Sequence, residues 1–368
     1  MTEQARTDQQ SQPHHRTPWT EVALAGVLTD QTRNLSEQQK LQFMDQLAQR
    51  LSALQESEGY DRFTLPRVTM KRGYQEVARL QGHTKGVLSV HALPGEMLLS
   101  GSDDNTVRVW RQSLDGRWRS DVVKEHQSSV IAVQGCRDGL IISGSEDGVF
   151  KTSVSGTEGK WTSSRLTGSP VSCLHALPCG GIARGGPNGD IQFDTAAIVT
   201  SSAVCSIQAL ADGEFATAHQ DGRVRLWKRG ASEFSWKEVT IKISEFGLNA
   251  VHVTPDGRIV VGGDDGMVRE FTPQADGGYL ISEVGRMGGI VWYHQALPDG
   301  RIVTGGDDAT IRIWQRDPSG VWHQEVLRGH SGCANSLQIL PDGRIISAGS
   351  DTTIRIWDGG PVENGGAS

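Results

Sequence analysis

The side chains able to do chemistry in this chain are few in kind and regular in position. Three residues before the Pro of each Leu-Pro turn, or its equivalent, stands an imidazole or an amide: His91, Gln134, His175, Gln208, His252, Gln295 and Gln338. Seven such groups at one repeated position would form a ring, which would suit a metal ion or a proton relay. Groups of this kind more commonly hydrogen-bond backbone or a neighbouring unit, and that is the role expected here. Asp-Gly and Gly-Gly-Asp-Asp runs also recur. They lack the alternating carboxylates and closing Glu of a calcium loop, so they read as hairpin turns rather than ligands. There is no G-x-S-x-G, no G-x-x-x-x-G-K-[ST] and no H-E-x-x-H, and the five cysteines (Cys136, Cys173, Cys179, Cys205 and Cys333) contain no C-x-x-C pair. No catalytic residue, metal or cofactor is expected.

A repeat carries these residues. Short turns align at Asp104, Asp147, Asn188, Asp221, Asp265, Asp308 and Asp351, with separations of 43, 41, 33, 44, 43 and 43 residues, which gives seven units. Each unit has an apolar-alternating run, a turn such as Leu340–Gly343, a second run such as RIIS, the Asp turn, and a third run such as TIRIW. These are strands at hairpin spacing, so each unit is a small antiparallel sheet. The interval after Asn188 is ten residues short, which predicts a truncated outer strand in that unit. Before most inter-unit loops lies a fourth run with an aromatic residue, as in GRWRSDVVKEH and VWHQEVLRGH. None follows Trp357; the missing run stands at the other end of the array, in GYQEVARLQGH (Gly73–His83). Residues 73–81 are therefore expected to complete the last unit, closing the array and removing its exposed edges.

Ahead of the repeat, residues 1–35 are rich in Gln, Thr, Arg and His and are expected to be largely disordered, with a short helix at 19–28. Residues 36–58 read as an amphipathic helix, with Ser36 and Gln39 as a capping box and Leu41, Met44, Leu47, Leu51 and Leu54 at spacings of three and four. That stripe suits either packing against the sheets or self-association. Residues 359–368 read as a disordered tail. No apolar run approaches the ~18 residues of a membrane span. A formal charge of −7 argues against a nucleic-acid partner. The polar start lacks a signal-peptide pattern and the cysteines lack a disulfide framework, so a cytoplasmic location is expected.

With the units in register, residues 73–358 resemble the WD40 repeats, the four-stranded blades of a β-propeller. The resemblance implies an all-β, seven-bladed WD40 β-propeller with an N-terminal disordered and α-helical extension. It also implies a hydrogen-bonded set of His, Ser or Thr, Asp and Trp. These are His83, Ser100, Asp104 and Trp110 in the first unit and His330, Ser347, Asp351 and Trp357 in the last. Other units depart from the pattern. Ser153 stands for the Trp, Thr200 and Met287 for the His, and the unit around Asp265 has Ser244, Val261 and Phe271. The unit around Asn188 has Thr167, Arg184 and Asp194. Arg108, Arg225, Arg269, Arg312 and Arg355 are expected to lay their stems across neighbouring strands.

By the same resemblance, peptides bind where the inter-blade loops and Asp turns emerge, through the residue before the aligned Asp and the positions three and five after the aligned His. Carried over, these positions give an apolar platform of Trp292, Ile290, Leu88 and Ile131 rimmed by Asp103, Glu146, Asp264 and Asp307. Such a surface suits a protein or peptide partner carrying Arg or Lys. The implied function is a non-enzymatic interaction scaffold. Two alternatives stand beside it: an adaptor in ubiquitin-linked or translocated-effector biology, and an enzyme or small-molecule binder using the central channel. The latter would need convergent charged residues there.

Overall fold

The structure, a computed structural model, describes residues 73–359 apart from positions 94, 114, 137–139, 156–159, 177–181, 194–196, 211–213, 230–235, 255–256, 275–277, 298–299 and 341. The chain divides into Met1–Val68 and Thr69–Ser368, and all described residues belong to the second unit. The expected tail at 1–35, the helices at 19–28 and 36–58, self-association through the latter, and residues 360–368 of the expected C-terminal tail lie outside the described residues.

All regular structure among the described residues is strand, arranged as seven four-stranded antiparallel sheets. Blades 1 to 3 run from inner strands Val87–Leu93, Val130–Gly135 and Cys173–Ala176 to outer strands Trp118–Glu125, Lys160–Thr167 and Ala197–Val199. Blades 4 to 6 run from Val204–Ala209, Leu248–Val253 and Val291–Ala296 to Trp236–Lys242, Tyr279–Arg286 and Trp322–Arg328. Blade 7 has Ala334–Ile339 inside and takes its outer strand, Gln75–Leu80, from the start of the array.

Apolar side chains of adjacent blades meet between the sheets, as Leu99, Val107 and Val109 of blade 1 do with Val130, Val133 and Ile141 of blade 2. The second strand of a blade is covered on both faces, so Ile141–Ser145, Phe215–His219 and Ile345–Gly349 are buried at every position instead of alternating. A glycine in this strand admits the next blade. A Cβ on Gly101, Gly185 or Gly262 would lie 2.5–2.6 Å from a Val methyl of the following inner strand.

Gln75–Leu80 pairs antiparallel with Ile354–Asp358. Leu80 is buried against Val87, Leu98, Trp110 and Ile354, and Tyr74 against Leu327, Ile345 and Trp357. Tyr74 also donates its hydroxyl to the Gly343 carbonyl at 3.0 Å and its N–H to Glu325 at 2.9 Å, while the buried Arg355 pairs with Glu76. Trp118, Trp236, Tyr279 and Trp322 begin four of the other outer strands and Trp161 is second in a fifth, and all pack on the inter-blade clusters in the same way. The outer strand of blade 3 has only three residues. The adjoining junction is filled by aromatic rings, with Phe193 stacked on Trp236 at 5.5 Å and Phe215 edge-on to Trp236 at 4.9 Å.

Candidate partner-binding face

Hydrogen-bonded chains fix the Asp turns from which this face is built. In blade 1 the Trp110 indole donates to Ser100 Oγ at 2.7 Å, Ser100 meets His83 Nε2 at 2.7 Å, and His83 Nδ1 meets Asp104 at 2.8 Å. An indole only donates and a carboxylate only accepts, so one proton order satisfies all four groups: indole to hydroxyl, hydroxyl to Nε2, Nδ1–H to carboxylate. Blade 7 repeats it through Trp357, Ser347, His330 and Asp351 at 2.9, 2.8 and 2.9 Å. Burial alone would raise Asp104, but hydrogen bonds from Thr106, the Thr84 N–H and His83 bring its pKa down to about 2. Burial outweighs Asp104 at His83 and lowers its pKa, consistent with a neutral ring.

Blades that depart from the pattern end the same chain on other acceptors. In blade 6, Trp314 donates to Thr304, and the Thr304 hydroxyl donates to the Met287 thioether at 3.2 Å. In blade 4, Trp227 donates to Thr217, which meets His219 Nε2 at 2.8 Å; His219 Nδ1 then meets the Ser202 carbonyl at 3.2 Å. Sequence reasoning missed His219. It occupies the position filled by Ser102, Ser145, Gly186, Gly263, Gly306 or Gly349 in the other units, and it appears in the unit that has Thr200 for the usual His. Blade 2 keeps His126, Ser143 and Asp147, and Phe150 packs edge-on to the imidazole at 5.0 Å.

The residue five after the aligned His has a structural cause for its exposure. In six blades the ladder between the first two strands slips by one residue there, so Leu88, Ile131, Cys205, Asn249, Trp292 and Asn335 are bulge residues. A bulge re-aims its side chain. These six and Ser172 ring the mouth of the central channel. Trp292 is 38% exposed, Leu88 and Ile131 are half-buried, and Ile290 is half-buried outside the ring. Phe246, 59% exposed in the loop between blades 4 and 5, is a further aromatic that sequence reasoning passed over.

In blades 4 to 7 the ring residue bonds the side chain fifteen positions later, just before the aligned Asp. Cys205 meets Gln220 at 3.5 Å, Asn249 meets Asp264 at 2.9 Å, Trp292 donates to Asp307, and Asn335 meets Ser350 at 3.0 Å. Asp264 accepts a second amide from Gln220 at 3.0 Å, and the half-buried Cys333 thiol, its pKa raised by burial, hydrogen-bonds Asp307. Leu88 and Ile131 have no donor to offer, and Asp103 and Glu146 have no side-chain partner among the described residues.

The aligned Asp residues differ in one respect. Arg225, Arg269 and Arg312 each reach the Asp four positions earlier at 2.7 Å, Arg355 reaches Asp351 at 3.3 Å, and Asp104 and Asp147 take His83 and His126. These arginines thus form ion pairs in addition to spanning strands. Asp103, Glu146, Asp264 and Asp307 pair with no Lys, Arg or His among the described residues. The donors that meet Asp264 and Asp307 are uncharged, so none of the four carboxylates has a cationic partner among the described residues.

Behind the mouth lies a cavity of about 670 Å³ with no Asp, Glu, Lys or Arg in its lining. The repeated amides staple neighbouring blades. Gln134 accepts from Ala176 N–H, Gln295 from Ile339 N–H at 3.1 Å, and Gln338 from Ala92 N–H. Gln208 both accepts from Val253 N–H and donates to the Val253 carbonyl. His91, His175 and His252 occupy the same position without making such a bond, so the junction role expected of all seven groups belongs to the four glutamines. Among the described residues no group of three His, Cys, Asp or Glu could hold a metal ion.

A family model described as WD domain, G-beta repeat matches residues 74–111, 288–315 and 322–358, which fall within blades 1, 6 and 7. Among solved structures, the WD40 β-propeller domain of Doa1 superposes with a TM-score of 0.67 at 23% identity, covering 78% of this chain and 98% of that one. That likeness shows the fold. A comparison with curated proteins found no match.

Proposed function

We propose that this propeller is a non-enzymatic scaffold that binds a protein or peptide partner carrying Arg or Lys on the face where the Asp turns emerge. A WD40 propeller supports a protein-interaction scaffold in general terms. The observation that carries the finer reading is the contrast between two rings of carboxylates. The aligned Asp residues have cationic or imidazole partners, whereas Asp103, Glu146, Asp264 and Asp307, one residue earlier, have none among the described residues. Four such carboxylates around a concave mouth attract and orient a cation, and the exposed Trp292 ring beside Asp307 gives its stem an apolar face. The ring is preformed by bulges and side-chain hydrogen bonds, so little ordering entropy is lost on docking. A site for charged small-molecule chemistry in the channel has less support, because its lining holds no charged side chain.

The test is selection of a displayed random-peptide library on the folded protein. Peptides bearing Arg or Lys should be enriched on the wild type and lost on a variant with Asp103→Asn, Glu146→Gln, Asp264→Asn and Asp307→Asn. Trp292→Ala combined with Asp307→Ala should weaken the same peptides. Enrichment of peptides without basic residues, or binding indifferent to both variants, would place the partner elsewhere.

A further inference from the structure

The seven inner strands present the channel with one residue type per blade in the order His, Gln, His, Gln, His, Gln, Gln. All seven line the same cavity. Each glutamine bonds backbone of the following blade, so the junctions from blade 2 to 3, 4 to 5, 6 to 7 and 7 to 1 are stapled by an amide. The junctions from blade 1 to 2, 3 to 4 and 5 to 6 have His91, His175 and His252 instead. His91 reaches the same place that an amide would, since a Cβ on Gly135 of blade 2 would lie 3.6 Å from its Cδ2. Its nitrogens, like those of the other two rings, have no hydrogen-bond partner among the described residues.

We propose that these three junctions are acid-sensitive seams: neutral imidazoles close them at neutral pH, and acidification loosens the propeller there while the amide-stapled junctions hold. The groups facing the three rings offer a proton no stabilising charge. His175 faces both His91 and His252, the buried His294 faces His252, and the rest of the channel wall is amide, hydroxyl, thiol, phenol, indole and aliphatic. Burial first, and the neighbouring imidazole second, lower His91 and His252 to about 4, and burial lowers His175. A lowered folded value means that the unfolded chain binds the proton first, so folded stability falls as pH drops from 6.5 toward 4. At pH 5 each of His91 and His252 then shifts the folded-to-unfolded ratio about thirtyfold toward unfolding.

The test compares urea midpoints at pH 7.5 and pH 5 for the full chain and for His91→Gln/His175→Gln/His252→Gln, which installs the residue that the other four junctions use. The wild type should lose stability on acidification. The variant should show a clearly smaller drop in urea midpoint between pH 7.5 and pH 5 than the wild type. Equal pH dependence in the two chains overturns the proposal. Should the triple variant fail to fold, Gln208→His decides: it should add acid lability beyond its loss at pH 7.5, and a loss equal at both pH values would overturn the reading.

Discussion

Removing residues 73–81 deprives blade 7 of its outer strand and tests closure directly. Leu80 is 2% exposed and Tyr74 8% exposed. Truncating a buried Leu costs about 3 kcal/mol and a buried aromatic about 3–5 kcal/mol. The strand also carries the ladder to Ile354–Asp358 and the Glu76 partner of the buried Arg355. Losing all of these together is comparable with the whole stability of an ordinary domain, about 5–15 kcal/mol. The deleted chain should therefore aggregate or elute as expanded species on size exclusion, whereas a chain lacking residues 1–18 should keep the wild-type denaturant midpoint. A point variant keeps the test quantitative. Leu80 and Leu327 hold the same register, one on the seam and one on a continuous blade, and Leu327 is 4% exposed. Leu80→Ala and Leu327→Ala should each cost about 3 kcal/mol. A cost below about 1 kcal/mol for Leu80→Ala alone, relative to the same scale, would mean that the seam is not a true inter-blade junction.

Three further outcomes follow from individual contacts. His219→Ala leaves the Thr217 hydroxyl to donate only through the longer contact to the Arg225 carbonyl at 3.4 Å in a fully buried site and should cost about 2 kcal/mol in chemical denaturation. Gln208→Leu strips both partners from the Val253 backbone and should cost about 1–3 kcal/mol, with faster amide exchange confined to the junction of blades 4 and 5. Asp104 has its pKa depressed to about 2, so its contribution is present above the ordinary carboxylate value of 3.8 and is lost as pH falls toward 2. Asp104→Asn should flatten that acid limb by about 2 kcal/mol in a pH series of unfolding midpoints.

The strands and the seven-fold repeat were legible because packing between blades demands them. Alternating apolar runs, Gly and Asp at hairpin turns, and the echo of VWHQEVLRGH in GYQEVARLQGH all describe backbone requirements that a single sequence can display. The candidate face was legible only as positions. Nothing in the residues marks the one-residue slip that turns Trp292 and Asn249 into bulge residues, because a bulge is a property of two strands in register. The fifteen-residue pairing across the Asp turn is equally invisible: Asn249 with Asp264 and Leu88 with Asp103 have the same spacing, but only the first pair contains a donor. The His and Gln alternation was plain in the sequence. The division of labour within it emerged only where an amide's two ends could be traced to the next blade.

The blades matched by the WD40 repeat model are those around Asp104, Asp308 and Asp351, yet blades 2 to 5 have the same four-stranded order. The geometry thus does not depend on the full set of His, Ser or Thr, Asp and Trp. What each strongly patterned blade keeps is a proton path that begins at a buried indole and ends at an acceptor in the Asp turn or in the loop leading into the blade. The terminus can be a carboxylate in blade 1, the Met287 sulfur in blade 6 or the Ser202 carbonyl in blade 4. A buried donor without a partner costs about 1–3 kcal/mol, so what stabilises each blade is that the donor is satisfied, whichever residue accepts from it. Blade 5 takes the other solution: Phe271 replaces the indole and Val261 the hydroxyl, both buried, so no donor arises and no chain is needed. The same reasoning separates structure from function on the face above. The aligned Asp residues are consumed by these chains or by arginines, which leaves the carboxylates one position earlier as the charges available to a partner.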